Sequence, residues 1–383
     1  MKIIIFTSFY GSGYGLGYSA YKEANEFCKA GHDITVVYIN KEEDIQLNEK
    51  ILFFHLPKVN FPFFDIIDYF FKLRKFFNKK KLNGYDIIYI QSLEFGLLSL
   101  AKIKTPIFYF CRSSIRGISC FFKKYDIKNS ITKKIINIFL VILEKRLLNC
   151  SRTIFVKSKL MADELMRFYQ TQPKNIKVIY GGIDDKDFNK ISREEEINEI
   201  RKRYRVNLKD FILVYAGRIV PQKGLLYLVQ SLMLMQSDSN FCLLVAGTAF
   251  DNLYYDSIIK FIKDNNLCDK VRFIGHVNQF EINSLLNISS AVISPSLYEP
   301  FGMINIQAAA LDKVIITTEF VGANEILNNY KKSIIVQPVS PSELAMGIKK
   351  AMKLTNVKSL CNFNNYSWES VANKILSSFQ DVA

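Results

Sequence analysis

Apolar and polar positions alternate in blocks along this chain. Short runs of β-branched and aromatic residues are followed by longer stretches with helical spacing, and the order repeats from end to end. Lys2 to Ser8 is the first apolar run, and it leads to the glycine-rich loop Gly11 to Gly17. A helical pattern follows from Ala20 to Ala30, closed by Gly31, and Asp33 to Ile39 returns to a strand pattern. A strand–helix–strand unit of this length builds parallel sheets. Asp86 to Gln91, Pro106 to Phe110, Thr153 to Lys157 and Ile176 to Tyr180 read as further strands, with a helix over 135–148. The stretch 189–205 is charged, shows no strand pattern and reads as a boundary. A second alternation follows, with strands at 211–215, 241–246, 271–274, 291–293 and 314–318. Helical patterns at 224–235, 256–265, 281–289 and 303–311 separate them. The pattern predicts an α/β protein of two Rossmann-like, doubly wound domains facing a central cleft. Residues 1–190 form the first and residues 206–362 the second.

Composition narrows the partners. A length of 383 residues suits two domains, and 49% hydrophobic with 23% charged residues is globular. The net charge of +15 calls for an anionic partner: nucleic acid, a membrane surface or a small substrate. No nucleic-acid-binding motif is present, so nucleic acid is not expected. The seven cysteines include no C-x2-C pair, which argues against zinc and a disulfide framework and suits a reducing cytosol. The N-terminus lacks an adequate secretory apolar region, and the longest apolar stretches are too short to span a bilayer. The expectation is a cytoplasmic protein, at most peripheral on the inner face of the plasma membrane. In 65–81, Ile66, Phe70, Leu73 and Phe77 share one helical stripe and Lys72, Lys75 and Lys79 the other side. Such a segment suits an anionic bilayer surface, and equally a core-facing helix with a solvated side. Lys123, Lys124, Lys128, Lys133 and Lys134 add positive charge nearby.

Candidate chemistry concentrates in the second half. After the run Ala291 to Ile293 come Ser294-Pro295-Ser296, the acid Glu299, Pro300-Phe301-Gly302 and a helix-like run from Met303. Loops at the carboxyl ends of parallel strands face the ligand crevice. A helix start there offers free N–H groups to a phosphate. Arg218 and Lys223 stand five apart beyond the strand 211–215, with Gly224 opening a helix. A fixed guanidinium and ammonium stabilise a leaving diphosphate as its charge grows. On local sequence alone they are equally a pair of exposed loop charges.

The segment 294–325 resembles the donor-site signature of retaining glycosyltransferase family 4, written E-x7-E, with Glu299 as its first acid. FILVYAGRIVPQKGL (211–225), DKVRFIG (269–275) and the Gly322–Glu325 turn match the family's other second-domain motifs. Tyr366 to Glu369 resembles its closing helix, which assigns 366–383 to the first domain. The first half matches through Gly31-His32-Asp33 and IYGGIDDKDF (179–188), where Gly181 replaces the usual Asn. The resemblance implies the GT-B architecture and transfer of a hexose-type sugar from a nucleotide diphosphate donor, most simply a UDP-sugar. The implied acceptor is a saccharide or lipid-linked saccharide in bacterial surface polysaccharide assembly. It assigns Arg218 and Lys223 to the diphosphate and Glu299 to the sugar hydroxyls. Gly302, Met303 and Ile304 would offer backbone N–H groups, Gly13 and Gly15 would approach the β-phosphate, and Gly275 would line the nucleotide side. The second acid of the signature is replaced by Gln307, a neutral acceptor that makes a weaker bond to the ribose. Arg112 stands where many members carry His. It cannot act as a base; it suits a phosphate, an acidic acceptor group or a structural salt bridge. No Asp-x-Asp motif occupies the expected place, so neither metal nor cofactor is implied. A nucleotide-sugar epimerase or glycogen-type synthase on the same fold, and a non-catalytic partner protein, remain alternatives.

Overall fold

The computed structural model describes residues 1–11, 16–41, 48–56, 82–100, 103–125, 131–183, 189–207, 209–235, 240–354, 357, 359 and 364–381. They form two compact units: Met1–Gly182 with Asn365–Ala383, and Ile183–Asn364. The boundary therefore falls ahead of the charged stretch, not within it.

The first unit holds seven parallel strands: β1 (Lys2–Tyr10), β2 (Asp33–Lys41), β3 (Leu52–His55), β4 (Ile87–Ile90), β5 (Ile107–Cys111), β6 (Thr153–Val156) and β7 (Ile176–Val178). Their order is β3-β2-β1-β4-β5-β6-β7, so the winding reverses between β1 and β4. Helices α1 (Leu16–Lys29), α2 (Ile115–Lys124), α3 (Ile131–Cys150) and α4 (Lys159–Tyr169) connect them. The second unit opens with α5 (Glu194–Arg203). It continues through β8 (Phe211–Ala216), α6 (Leu225–Met233), β9 (Phe241–Ala246), α7 (Asn252–Asp264), β10 (Val271–Gly275) and α8 (Gln279–Ile288). Then come β11 (Ala291–Ser294), α9 (Met303–Ala310), β12 (Val314–Thr318), α10 (Asn324–Leu327), β13 (Ser333–Val336) and α11 (Pro341–Leu354). Its sheet runs β10-β9-β8-β11-β12-β13, all parallel, reversing between β8 and β11.

Strands read as unbroken apolar runs because helices cover both sheet faces. Leu213, Leu243, Ile293 and Ile316 share one core with Leu228 and Leu232 of α6. The last helix, α12 (Trp368–Gln380), belongs to the first unit. There Phe379 packs edge-on against Phe108 with ring centroids 4.7 Å apart, and Trp368 meets Tyr18 at 5.7 Å. Any side chain on Gly182 would strike the Trp368 ring. No helix among the described residues is long and apolar enough to cross a membrane.

The charged stretch is a helix. In α5 three glutamates open the first turn and Arg201, Lys202 and Arg203 close the last, which matches the helix dipole at both ends. Ile200 is its buried anchor.

Glu144 on α3 is fully buried. Its carboxyl takes the Ile115 N–H at 3.1 Å, the Tyr169 hydroxyl and the Cys111 thiol at 3.8 Å, so it ties α2 and α4 to β5. Burial pushes it up to about 7, against 4.5 for the ordinary group. A raised carboxyl means the folded state holds more protons between those two values. Stability of the first unit should therefore fall as pH rises from 4.5 to 7, by roughly 3 kcal/mol, and level off above. Urea unfolding followed by unit-specific hydrogen exchange at pH 5 and 7.5 should show this slope in the wild type and a flatter one in Glu144→Gln. Identical slopes would remove Glu144 as its source.

Candidate functional site

At the reversal point of the second sheet, two loops are pulled together. After β8 the chain runs through Arg218 to a 3-10 turn at Pro221–Lys223 and then Gly224, which is left-handed at φ +69°. A Cβ at position 224 would collide with the Pro295 carbonyl oxygen, so only glycine permits this approach. Two hydrogen bonds close the gap: Leu297 N–H to the Gln222 carbonyl at 2.9 Å, and Gln222 Nε2 to the Tyr298 carbonyl at 3.0 Å. Lys223 Nζ consequently donates directly to Glu299 Oε2. Both side chains are mostly buried, 19% and 15% exposed.

The Glu299 loop is fixed from its other side as well. Glu299 N–H donates to the Phe320 carbonyl at 2.9 Å, and Gly322 N–H returns to the Glu299 carbonyl at 3.0 Å. Gly302, at φ +90°, precedes α9 without any side-chain cap. A Cβ on Gly302 would stand 2.9 Å from Val321 and 3.3 Å from Glu299 Cγ. The first turn of α9 therefore starts beside the carboxylate, with Met303 and Ile304 half-buried. Gln307 lies one turn further and is buried.

Arg218 is exposed and makes no ion pair among the described residues. Its guanidinium carbon lies 5.9 Å from the centroid of the Phe250 ring. Phe250 is 67% exposed, although its backbone is zipped to the Arg218 loop through the Ile219 carbonyl at 3.3 Å. The Tyr215 hydroxyl, donating to the Arg218 carbonyl at 2.8 Å, holds the loop from below. Burial, with the Arg218 charge nearby, pulls the Lys223 ammonium down to about 7. The touching Glu299 carboxylate favours its charged form.

The structure thus brings together Arg218, Lys223, Glu299 and the Gly302–Ile304 helix start. Gly275 ends β10 at φ +82°, and its carbonyl accepts the Gly247 N–H at 2.8 Å. Arg112 belongs to the first unit, where it pairs with Glu23 at 2.9 Å. Gly13, Gly15 and the whole segment 65–81 lie outside the described residues. Phe250 and Gln222 carry no signal in sequence that sets them apart from surface loop residues. Among the described residues no group of three His, Cys, Asp or Glu side chains is placed to hold a metal ion.

Two family models account for this arrangement. Residues 14–187 match Glycosyltransferase Family 4, and residues 196–368 match Glycosyl transferases group 1. The chain belongs to the family 4 glycosyltransferases, and its fold is GT-B. It is 26% identical over 235 residues to an uncharacterized glycosyltransferase of Methanocaldococcus jannaschii, covering 59% of each chain. It is 29% identical over 225 residues to the capsular polysaccharide biosynthesis glycosyltransferase CapM of Staphylococcus aureus, covering 58% of this chain and 57% of CapM. The matches thus span less than two thirds of these relatives. The structure of Anabaena HepE in complex with UDP and glucose superposes with a TM-score of 0.75 over the whole of both chains, at 17% identity.

The depressed Lys223 can be read directly. Competitive labelling of lysines with acetic anhydride, resolved by mass spectrometry, should give Lys223 a midpoint below the ordinary 10.5 in the free protein. Glu299→Gln should lower it further, because a neighbouring anion is lost. A midpoint near the ordinary 10.5 would contradict the desolvated site.

Proposed function

We propose that this protein is a retaining glycosyltransferase that moves a hexose-type sugar from a nucleoside diphosphate donor, most simply a UDP-sugar, onto a saccharide or lipid-linked saccharide. The observation that carries this reading is the Lys223–Glu299 pair beside Arg218 and an uncapped helix start, at the reversal point of a parallel sheet. Similarity to the capsular polysaccharide glycosyltransferase CapM and to HepE, which binds UDP and glucose, supports the donor class and a role in surface polysaccharide assembly.

In this mechanism a phosphate oxygen replaces Glu299 as the partner of Lys223. The freed carboxylate accepts hydrogen bonds from sugar hydroxyls. Arg218, supported by Phe250, takes phosphate oxygens through two N–H groups. The bond from the anomeric carbon to the β-phosphate oxygen then breaks, with its electron pair leaving on the phosphate. The acceptor oxygen bonds to the same face, and its proton passes to the departing phosphate. The two cations stabilise the charge that develops, each worth about 3 to 4 kcal/mol by analogy with single oxyanion donors. They do so without a metal ion.

Incubation with a panel of radiolabelled nucleotide sugars, with and without a chelator, tests the reading. Transfer or slow hydrolysis that gives a product of unchanged anomeric configuration is expected. Tight UDP binding with neither reaction would favour a non-catalytic role, and an epimerised nucleotide sugar would favour an epimerase. Gln307→Glu should tighten UDP binding by up to about tenfold, since a charge-assisted bond replaces a neutral one. Weaker binding would show that the ribose sits elsewhere.

We also propose contact with an anionic membrane surface through the basic segment 65–81. Changing Lys72, Lys75, Lys79 and Lys80 to Gln should release the protein from phosphatidylglycerol vesicles, each lysine contributing about 1 kcal/mol at low salt. Undiminished co-sedimentation would discard this surface.

A further inference from the structure

The chain that follows β9 braces the loop that carries Arg218 and Lys223. The β8–β9 ladder runs on past both strands. Gly217 N–H donates to the Ala246 carbonyl at 2.9 Å, Ile219 N–H to the Thr248 carbonyl at 2.9 Å, and Phe250 N–H to the Ile219 carbonyl at 3.3 Å. A Cβ on Gly247 would collide with the Gly217 carbonyl oxygen, so this approach needs glycine. Asp251 then caps α7 by accepting the Tyr254 N–H at 3.1 Å. Backbone and cap together fix the points from which the Phe250 and Tyr254 side chains project.

Tyr254 reaches back to the start of α6. Its hydroxyl oxygen accepts the Leu226 N–H at 2.9 Å. Leu226 is the second residue of that helix, and the N-cap residue, Gly224, brings no side-chain cap. First-turn N–H groups have no partner inside a helix, so the tyrosine supplies what the glycine cannot. At the other end of the loop the Tyr215 hydroxyl donates to the Arg218 carbonyl at 2.8 Å. Residues 218–226 are thus strung between two tyrosine hydroxyls, with Lys223 in the middle.

Phe250 is not explained by packing. It directly precedes the cap of α7, where a hydrophobic residue ordinarily packs onto the fourth residue of the helix, here Tyr255. Tyr255 instead meets Phe273 edge-on, with ring centroids 5.3 Å apart, and Phe250 stays 67% exposed. Among the described residues its ring meets the Arg218 guanidinium, 5.9 Å away. An exposed arginine otherwise samples many rotamers, and an aromatic face narrows that choice.

We propose that Phe250 and Tyr254 are positioning residues of the diphosphate site: Phe250 aims the Arg218 guanidinium, and Tyr254 locks the turn that carries Lys223. That the two cations hold a diphosphate rests on the glycosyltransferase reading; the two contacts do not. Each aromatic residue acts through the cation it holds.

Calorimetric titration of the full chain with UDP tests this. Phe250→Leu should weaken binding about two- to fivefold, and Phe250→Tyr, which keeps an aromatic face, should bind like the wild type. Tyr254→Phe keeps the ring and removes the cap, and it should weaken binding about threefold or more. Phe250→Leu should add nothing in an Arg218→Met background, nor Tyr254→Phe in a Lys223→Met background, whereas general damage to packing would persist in both. Competitive acylation of the nucleotide-free protein reads the second contact without any donor. Tyr254→Phe should raise the Lys223 midpoint there, because a loosened turn admits water to the ammonium. That rise in a protein that does not bind UDP would discard the donor reading and keep the positioning role of Tyr254. UDP binding that neither substitution alters, an unmoved Lys223 midpoint, or losses that persist in the Arg218→Met and Lys223→Met backgrounds would overturn the proposal.

Discussion

The geometry of the candidate site depends on one close approach. Gly224 can lie against the Pro295 carbonyl only because it has no side chain and tolerates φ +69°. That contact sets the loop after β8 against the loop after β11. Lys223 and Glu299, 76 residues apart, become direct partners as a result. Backbone hydrogen bonds from Leu297 and to Phe320 then fix the acid from both sides. The charges are placed by backbone geometry, so little side-chain entropy remains to be lost when a substrate arrives.

The two units handle charge in similar ways. Each places basic residues beyond the carboxyl ends of parallel strands and pairs one of them with a mostly buried acid. In the second unit Glu299 holds Lys223 while Arg218 stays exposed. In the first unit Glu23 holds Arg112 beside Lys157. Both lysines are drawn down to about 7 by burial and a nearby guanidinium.

The strands of both sheets were legible because parallel strands covered on both faces are continuous apolar runs. Phe211 to Ala216 and Val314 to Thr318 are clear examples. The residues that the structure gathers at the candidate site stood out as a motif set, since Arg218, Lys223 and Glu299 flank glycines at strand ends. The helix α5 was not legible as part of the second unit. Its mean polarity hides a single buried anchor, Ile200, and its helical support is electrostatic. Short edge strands such as Leu52–His55 lack the length that makes a period visible. The Arg112–Glu23 pair was half legible: Arg112 stood out as a replacement, but its partner lies 89 positions away on a helix. Lys157 ends the apolar run of β6 and was counted as the close of a strand, although a lysine buried there has a meaning of its own.

The central claim is that Glu299 is the resident partner that Lys223 gives up to a diphosphate. Calorimetric UDP binding to the wild type, Lys223→Met, Glu299→Gln and the double variant tests it most directly. The account predicts weaker binding for Lys223→Met and tighter binding for Glu299→Gln. It also predicts that the double variant binds like Lys223→Met, because the acid acts on the nucleotide only through the lysine. Weaker UDP binding by Glu299→Gln, or effects of the two substitutions that simply add, would contradict it.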